Sequence, residues 1–251
     1  MPAAGSIPAS PSVPASRRVL VIDGHAAVRA ALPRALAPLG CETATARDGE
    51  EALRHVRETK RGDADGQRPA PFVLVVMDLV LPRTDGLALL AQLWQEFPRA
   101  PSIIVLGSLQ DPGAIKELMD LGAADYVPKP FDLDVLIYKV CGLLGQPTPA
   151  LFHWAPLWTR TIVNVDGRAA KATAVSEAGL VIELAVGTSL RPGQTVLMES
   201  DFLDEPSGRW RRCRGRVVSV SGRAGDSIVE VAFVALSEQQ LQRIRRFTVL
   251  H

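Results

Sequence analysis

With 251 residues, 47% of them hydrophobic and 22% charged, the chain can bury two cores and reads as globular rather than disordered. A formal net charge of +1 gives no overall drive toward nucleic acid or lipid, so any basic surface has to be local. Three cysteines (Cys41, Cys141, Cys213) and four scattered histidines (His25, His55, His153, His251) suggest neither a disulfide framework nor a structural zinc site.

Residues 1–16 carry Pro2, Pro8, Pro11 and Pro14 without a continuous apolar stretch, and are expected to form a flexible tail rather than a secretory signal. No run approaches the roughly 18 apolar residues of a membrane span, and the expected location is the cytoplasm.

From residue 17 apolar strand-like runs alternate with stretches of helical period. Val19–Ile22 ends in Asp23. Val28, Leu32, Leu36 and Leu39 then recur at helical spacing up to Gly40, with Pro33 placed to kink the helix. Cys41–Ala46 is a second strand, and Asp48 is placed to cap a helix through Ala52, Leu53 and Val56. After a polar loop over 59–71, the run Leu74–Met77 reads as a strand buried on both faces that delivers Asp78 at its C-terminal end. Pro82 and Asp85-Gly86 turn the chain into a helix with Leu87, Leu90 and Trp94 on one face. Ile103–Leu106 ends in Gly107-Ser108. Asp111-Pro112 opens a helix carrying Ile115, Leu118 and Met119 that stops at Gly122, and Asp125–Pro128 ends in Lys129-Pro130. A last helix begins near Asp132 and carries Leu133, Leu136, Ile137, Val140 and Leu144. This alternation predicts a doubly wound parallel sheet. Its chemistry belongs where the strands end, so Asp23, Asp78, Ser108 and Lys129 are expected to converge in one crevice.

Residues 17–144 resemble a response-regulator receiver domain. Asp78 matches the phosphoacceptor, Asp23 the first of the paired acids, and Lys129 with Pro130 the lysine–proline pair; Asp85-Gly86, Gly122 to Tyr126 and Phe131 complete the pattern. The resemblance implies Mg²⁺ held by Asp23 and Asp78, phosphorylation of Asp78, a histidine kinase as a candidate partner, and partner surfaces on the last two helices and the strand between them. Two positions depart from the pattern. Gly24 replaces the second acid, and Gly107 falls where the family carries a threonine or serine, with Ser108 one place late. The first loss removes a metal ligand, the second a hydroxyl that senses the phosphoryl group.

Residues 145–159 break the periodicity with Gly145, Pro147 and Pro149 and are expected to be a linker, with Trp154 and Trp158 inside it as an interdomain or partner patch. From Arg160 to residue 251 the pattern becomes short strand-like runs punctuated by Gly167, Gly179, Gly193, Gly222 and Gly225, which predicts an antiparallel β-barrel. Ser237 to Gln240 has the spacing of a capping box before a final helix with Leu241, Ile244 and Phe247. In Arg209 to Arg216 the strand alternation puts Arg212, Arg214 and Arg216 on one side as a candidate anion surface, without specific nucleic-acid binding.

This second pattern resembles a PilZ domain, carried by Ser176 to Leu180, Leu190 to Gln194, Gly215 to Val218 and Val231 to Phe233. The family ligand is cyclic di-GMP, held in part by two arginines separated by three residues and by an Asp or Asn two places before the motif serine. Here Arg160 has Asn164 and Pro156 four places to either side, and the acid position is Ala174, leaving Arg160, Ser176 and Gly179 as the remnant of the motif. Neither Asn nor Pro reproduces a second guanidinium fork, so cyclic di-GMP binding is not expected.

These readings combine into a non-enzymatic bacterial signalling regulator that acts through protein–protein interactions and needs no assured cofactor. The alternative is a phosphorylation-controlled response regulator with cyclic di-GMP-dependent output.

Overall fold

The computed structural model describes residues 17–61, 69–97, 99–147, 154–185, 190–200, 212–223 and 226–250; the side chains of Trp158 and Arg160 lie outside the described set. The N-terminal half is built from β1 (Arg17–Ile22), α1 (Ala26–Leu36), β2 (Cys41–Ala46), α2 (Gly49–Arg61), β3 (Phe72–Asp78), a two-residue hairpin β4 (Val80–Leu81) and β5 (Thr84–Asp85), α3 (Gly86–Glu96), β6 (Ser102–Gly107), α4 (Pro112–Asp120), β7 (Asp125–Pro128) and α5 (Leu133–Leu144). Its parallel sheet runs β2-β1-β3-β6-β7, the order that alternating strand and helix patterns lead one to expect.

Successive strand side chains point to opposite faces, so each central strand feeds two cores. Val75 and Met77 pack with Leu20, Ile22, Ile103 and Val105 under α2, α3 and α4. Leu74 and Val76 pack with Val19, Val21, Ile104 and Leu106 under α1 and α5. This two-sided burial is why Leu74–Met77 is apolar without interruption.

Caps fix three helix starts. Asp85 accepts from the N–H groups of Leu87 (2.9 Å) and Ala88, Asp111 from Gly113 and Ala114, and Asp132 from Asp134, each occupying a donor that the first turn leaves open. α1 continues through Pro33, and the chain turns after it through a short 3-10 segment at Ala37–Leu39 to Gly40 in the left-handed region. On α3 the buried stripe is Leu89, Leu90 and Leu93, while Leu87 faces solvent; with the helix starting at Gly86, the 3.6-residue period brings these positions inward. Gly86 is required by close approach, since a Cβ there would lie 2.2 Å from the carbonyl oxygen of Leu79.

The C-terminal half is a closed barrel of β8 (Ala155–Val165), β9 (Arg168–Val175), β10 (Gly179–Ala185), β11 (Thr195–Glu199), β12 (Arg212–Arg223) and β13 (Asp226–Val234), in the order β10-β13-β12-β11-β8-β9 and antiparallel throughout, followed by α6 (Glu238–Leu250). β8 begins within the stretch read as linker: Ala155 pairs with Val175 and Pro156 with Ala174 before a bulge ahead of Thr161. Pro156, which has no N–H for the ladder, lies immediately ahead of this bulge. Val163, Ala172, Leu180, Met198, Val217 and Phe233 fill the interior, and α6 closes it with Leu241 and Ile244. The capping box forms reciprocally, the Ser237 hydroxyl accepting from the Gln240 N–H (3.3 Å) while the Gln240 side-chain oxygen accepts from the Ser237 N–H (2.9 Å).

Candidate functional site

Three strand ends bring the crevice together. Asp23 follows β1, Asp78 closes β3 and Lys129 follows β7, the Lys129–Pro130 peptide being cis. Both carboxylates are buried, at 0% and 2% exposure. The Lys129 ammonium bridges them, donating to Asp23 Oδ2 at 3.1 Å and to Asp78 Oδ2 at 2.7 Å. Two buried acids this close repel, and one cation shared between them offsets half of that charge while satisfying an oxygen of each. The remaining oxygens are held by the chain itself: Asp23 Oδ1 accepts the His25 N–H at 2.7 Å and Asp78 Oδ1 the Val80 N–H at 3.1 Å. Arg29 fixes the loop from beneath, donating to the carbonyls of Asp23 (2.7 Å) and Gly24 (2.9 Å).

The His25 ring turns into this loop, its Nδ1 lying 3.1 Å from Asp23 Oδ1. One donor atom each from Asp23, His25 and Asp78 lies within 4.8 Å of the others, so the three can coordinate a divalent cation. His25 is therefore no scattered histidine. The signal for it was its place two residues after an acid that ends a strand. Gly24 supplies no ligand, and a Cβ there would come within 2.9 Å of Pro82 Cδ. Mg²⁺ is served by oxygen ligands and water; the two carboxylates fit that demand, while the third donor is a nitrogen.

Ser108 is exposed, and among the described residues no hydrogen bond joins it to the two acids or to Lys129. At Gly107 a Cβ would lie 3.3 Å from Tyr126 Cε2 and 3.3 Å from Leu79 Cβ. Tyr126 is fully buried, with its phenol oxygen accepting the Leu109 N–H at 2.6 Å, and burial raises its pKa. The missing side chain at 107 leaves room for the inward ring.

The face made by β7 and α5 is occupied by the barrel. Asp125, 1% exposed, accepts the Ala235 N–H at 2.7 Å through one oxygen and Lys139 at 2.7 Å through the other. Lys139, itself buried, also donates to the Phe233 carbonyl. Arg216 donates to the Ala124 carbonyl at 3.0 Å. Beside this polar group, Trp154 meets Tyr138 edge-on with centroids 5.6 Å apart, and Ala178, Ala232, Val218 and Val135 close around them. Sequence reasoning missed Lys139; its signal was a lysine inside the otherwise apolar stretch from Leu136 to Cys141.

Of the motif remnant on the barrel, Ser176 forms the turn between β9 and β10: its hydroxyl accepts the N–H groups of Ala178 and Gly179, both at 3.2 Å. Gly179 is excluded from substitution by packing, since a Cβ would lie 2.1 Å from the Val231 carbonyl oxygen. Ala178 of this turn is fully buried against α5. The side chain of Arg160 lies outside the described residues, as does that of Trp158. Arg212, Arg214 and Arg216 do share a face of β12, with Cys213 buried opposite them. On that face Arg212 pairs with Glu199 and Arg216 donates to the Ala124 carbonyl, while Arg214 is exposed. Arg212 and Arg214 also line a cleft of about 250 Å³ with Ile115 and Met119 of α4.

Residues 19–141 match the response regulator receiver domain and residues 159–250 the PilZ domain. The chain is a receiver domain fused to a PilZ domain. It is similar to the response regulator MprA of Mycolicibacterium vanbaalenii, 37% identical over 132 residues covering 53% of this chain and 52% of that protein. The protein of the same name from Mycobacterium bovis is 36% identical over 134 residues, 53% of each chain. The chain thus spans about half the length of the curated relatives it matches. Among solved structures, a two-component response regulator from Clostridium difficile aligns with a TM-score of 0.44 at 22% identity, covering 51% of this chain and 96% of its own. The receiver domain of NtrX from Brucella abortus aligns at 0.42 and 27%, covering 51% and 99%. Receiver-domain proteins are not catalytic enzymes in the ordinary sense. Among the described residues no helix is long and apolar enough to cross a membrane.

Proposed function

We propose that this chain is a non-enzymatic bacterial signalling regulator in which the receiver and the barrel act as one protein-binding unit, without cyclic di-GMP as ligand. The observation that carries the reading is the burial of Ala178, in the turn of the PilZ motif, against Tyr138 and Trp154, with Ser176 engaged in closing that turn. A nucleotide approaching the turn meets the receiver in its place, and Ala174 and Asn164 offer neither the acid nor the second guanidinium that would compete for it. Signalling proteins are the partner class, and the unpaired cysteines at 41, 141 and 213 support a reducing, cytoplasmic setting.

A second reading is favoured by the crevice. Lys129 at 2.7 Å from Asp78, beside Asp23, suits an acyl phosphate formed at Asp78 with Mg²⁺ and a histidine kinase as donor. In that case the barrel would report phosphorylation through cyclic di-GMP. Isothermal calorimetry of the full chain with cyclic di-GMP separates the two. The first reading expects no saturable site near the micromolar range, about −8 kcal/mol; a saturable site weakened by Arg160→Ala would overturn it in favour of the second.

A further inference from the structure

We infer that the crevice is a mixed nitrogen–oxygen metal site, with Asp23, His25 and Asp78 as ligands, that takes a first-row transition dication in preference to Mg²⁺. The basis is the substitution of one donor for another within a single loop. Gly24 supplies no side chain, while the next residue carries a ring whose Nδ1 stands 3.1 Å from Asp23 Oδ1, one nitrogen of that ring lying within 4.8 Å of a donor atom of Asp78. Three ligands at about 2.0–2.2 Å from one ion lie at most roughly 4.4 Å apart, and the exposed ring supplies the adjustment.

Ligand chemistry sets the choice of ion. Mg²⁺ binds hard oxygen donors and parts reluctantly with its water, so an imidazole adds little to its affinity. Mn²⁺, Co²⁺ and Zn²⁺ accept imidazole nitrogen, and their affinity for a site with such a donor rises along the first-row series. The ring is free to adjust, being 74% exposed, whereas both carboxylates are fixed by burial and by backbone donors. With a metal on one ring nitrogen, the neutral imidazole would keep its single proton on the other. Lys129 is the competitor, because its ammonium already serves both acids. Metal binding is therefore expected to strengthen when that cation is removed.

Mn²⁺ binding to the full chain, followed by electron paramagnetic resonance, tests this without any functional assay. The wild type is expected to bind Mn²⁺ in preference to Mg²⁺ and to show ¹⁴N modulation of the Mn²⁺ echo. His25→Gln, at an exposed position, is expected to lose the modulation and at least about tenfold in Mn²⁺ affinity, with Mg²⁺ affinity unchanged. Lys129→Met is expected to bind Mn²⁺ more tightly than the wild type. An echo without nitrogen modulation, equal Mn²⁺ affinity in wild type and His25→Gln, or displacement of Mn²⁺ by equimolar Mg²⁺ would each overturn the assignment. None of these outcomes bears on cyclic di-GMP or on how the domains dock.

Discussion

Asp125, at the first position of β7, accepts the backbone N–H of Ala235, 110 residues further along the chain, at 2.7 Å. Ala235 presents that N–H from a left-handed conformation, φ 56°, which disfavours a residue with a Cβ by about 1–2 kcal/mol. The carboxylate holds the strained residue, and Lys139 holds the carboxylate while reaching the Phe233 carbonyl on the barrel. The domains are thus joined through a buried charge pair rather than through apolar contact alone.

Removing one member of that pair leaves the other charged, buried and unmatched. Lys139→Met is expected to destabilise the full chain by about 3–5 kcal/mol, measured by urea unfolding. Asp125→Leu combined with Lys139→Met, which removes both charges, is expected to recover a large part of the loss. If the double variant is no more stable than the single one, the pair does not carry the coupling.

The edge-on contact of Trp154 with Tyr138 sits beside this node. Trp154→Ala is expected to weaken docking by about 1–3 kcal/mol. Hydrogen exchange should quicken in α5 and in the turn from Ser176 to Gly179, while the barrel strands away from the receiver keep their protection. Uniform protection in variant and wild type would count against a joint unit.

At the crevice, small phosphoryl donors with Mg²⁺ are expected to leave the intact mass of the protein essentially unmodified. Gly24 and Gly107 remove an acid and a hydroxyl from the phosphoryl environment, and the described contacts do not include Ser108. Mass spectrometry under conditions that preserve acyl phosphates is the measurement. Efficient single phosphorylation that vanishes in Asp78→Asn would establish the phosphorylation-controlled reading.

Asp48 offers a pH test away from the crevice. The Glu51 N–H, followed by the Arg83 guanidinium at 2.8 Å, holds its carboxyl below the usual range despite burial. A depressed folded-state pKa contributes stability that is present above the unfolded value, about 3.9, and is lost as pH falls through the folded one. Asp48→Asn keeps a capping side chain but not the charge. Its stability deficit at neutral pH is expected to shrink progressively below about pH 4, as followed by urea unfolding at stepped pH.

What could be read from the chain beforehand follows from the range of each interaction. The uninterrupted apolar run ending in Asp78 and the alternation around Cys213 are local patterns, and they point to a two-sided strand and a one-sided one. Asp23, Asp78 and Lys129 stand out because an open sheet gathers its strand ends. His25 stands out less, since an isolated histidine has no periodicity and only its place two residues after Asp23 points to it. The docking of Ala178 on Tyr138 depends on two surfaces whose complementarity no local pattern encodes. Arg216 illustrates the same limit: its face was legible, but not that the Ala124 carbonyl lies across from it.

Lys139 and Phe233 are 94 residues apart, and this separation has a consequence for synthesis. Domains emerging from the ribosome tend to fold in order, N-terminal first. The receiver will have completed its sheet while the acceptors on β13 and at Ala235 are still unmade. Until then the Lys139 ammonium has Asp125 but lacks its second acceptor, and Tyr138 lies open beside it. The nascent chain therefore passes through an interval with an apolar, charge-bearing face exposed, which closes only when the last barrel strand is delivered.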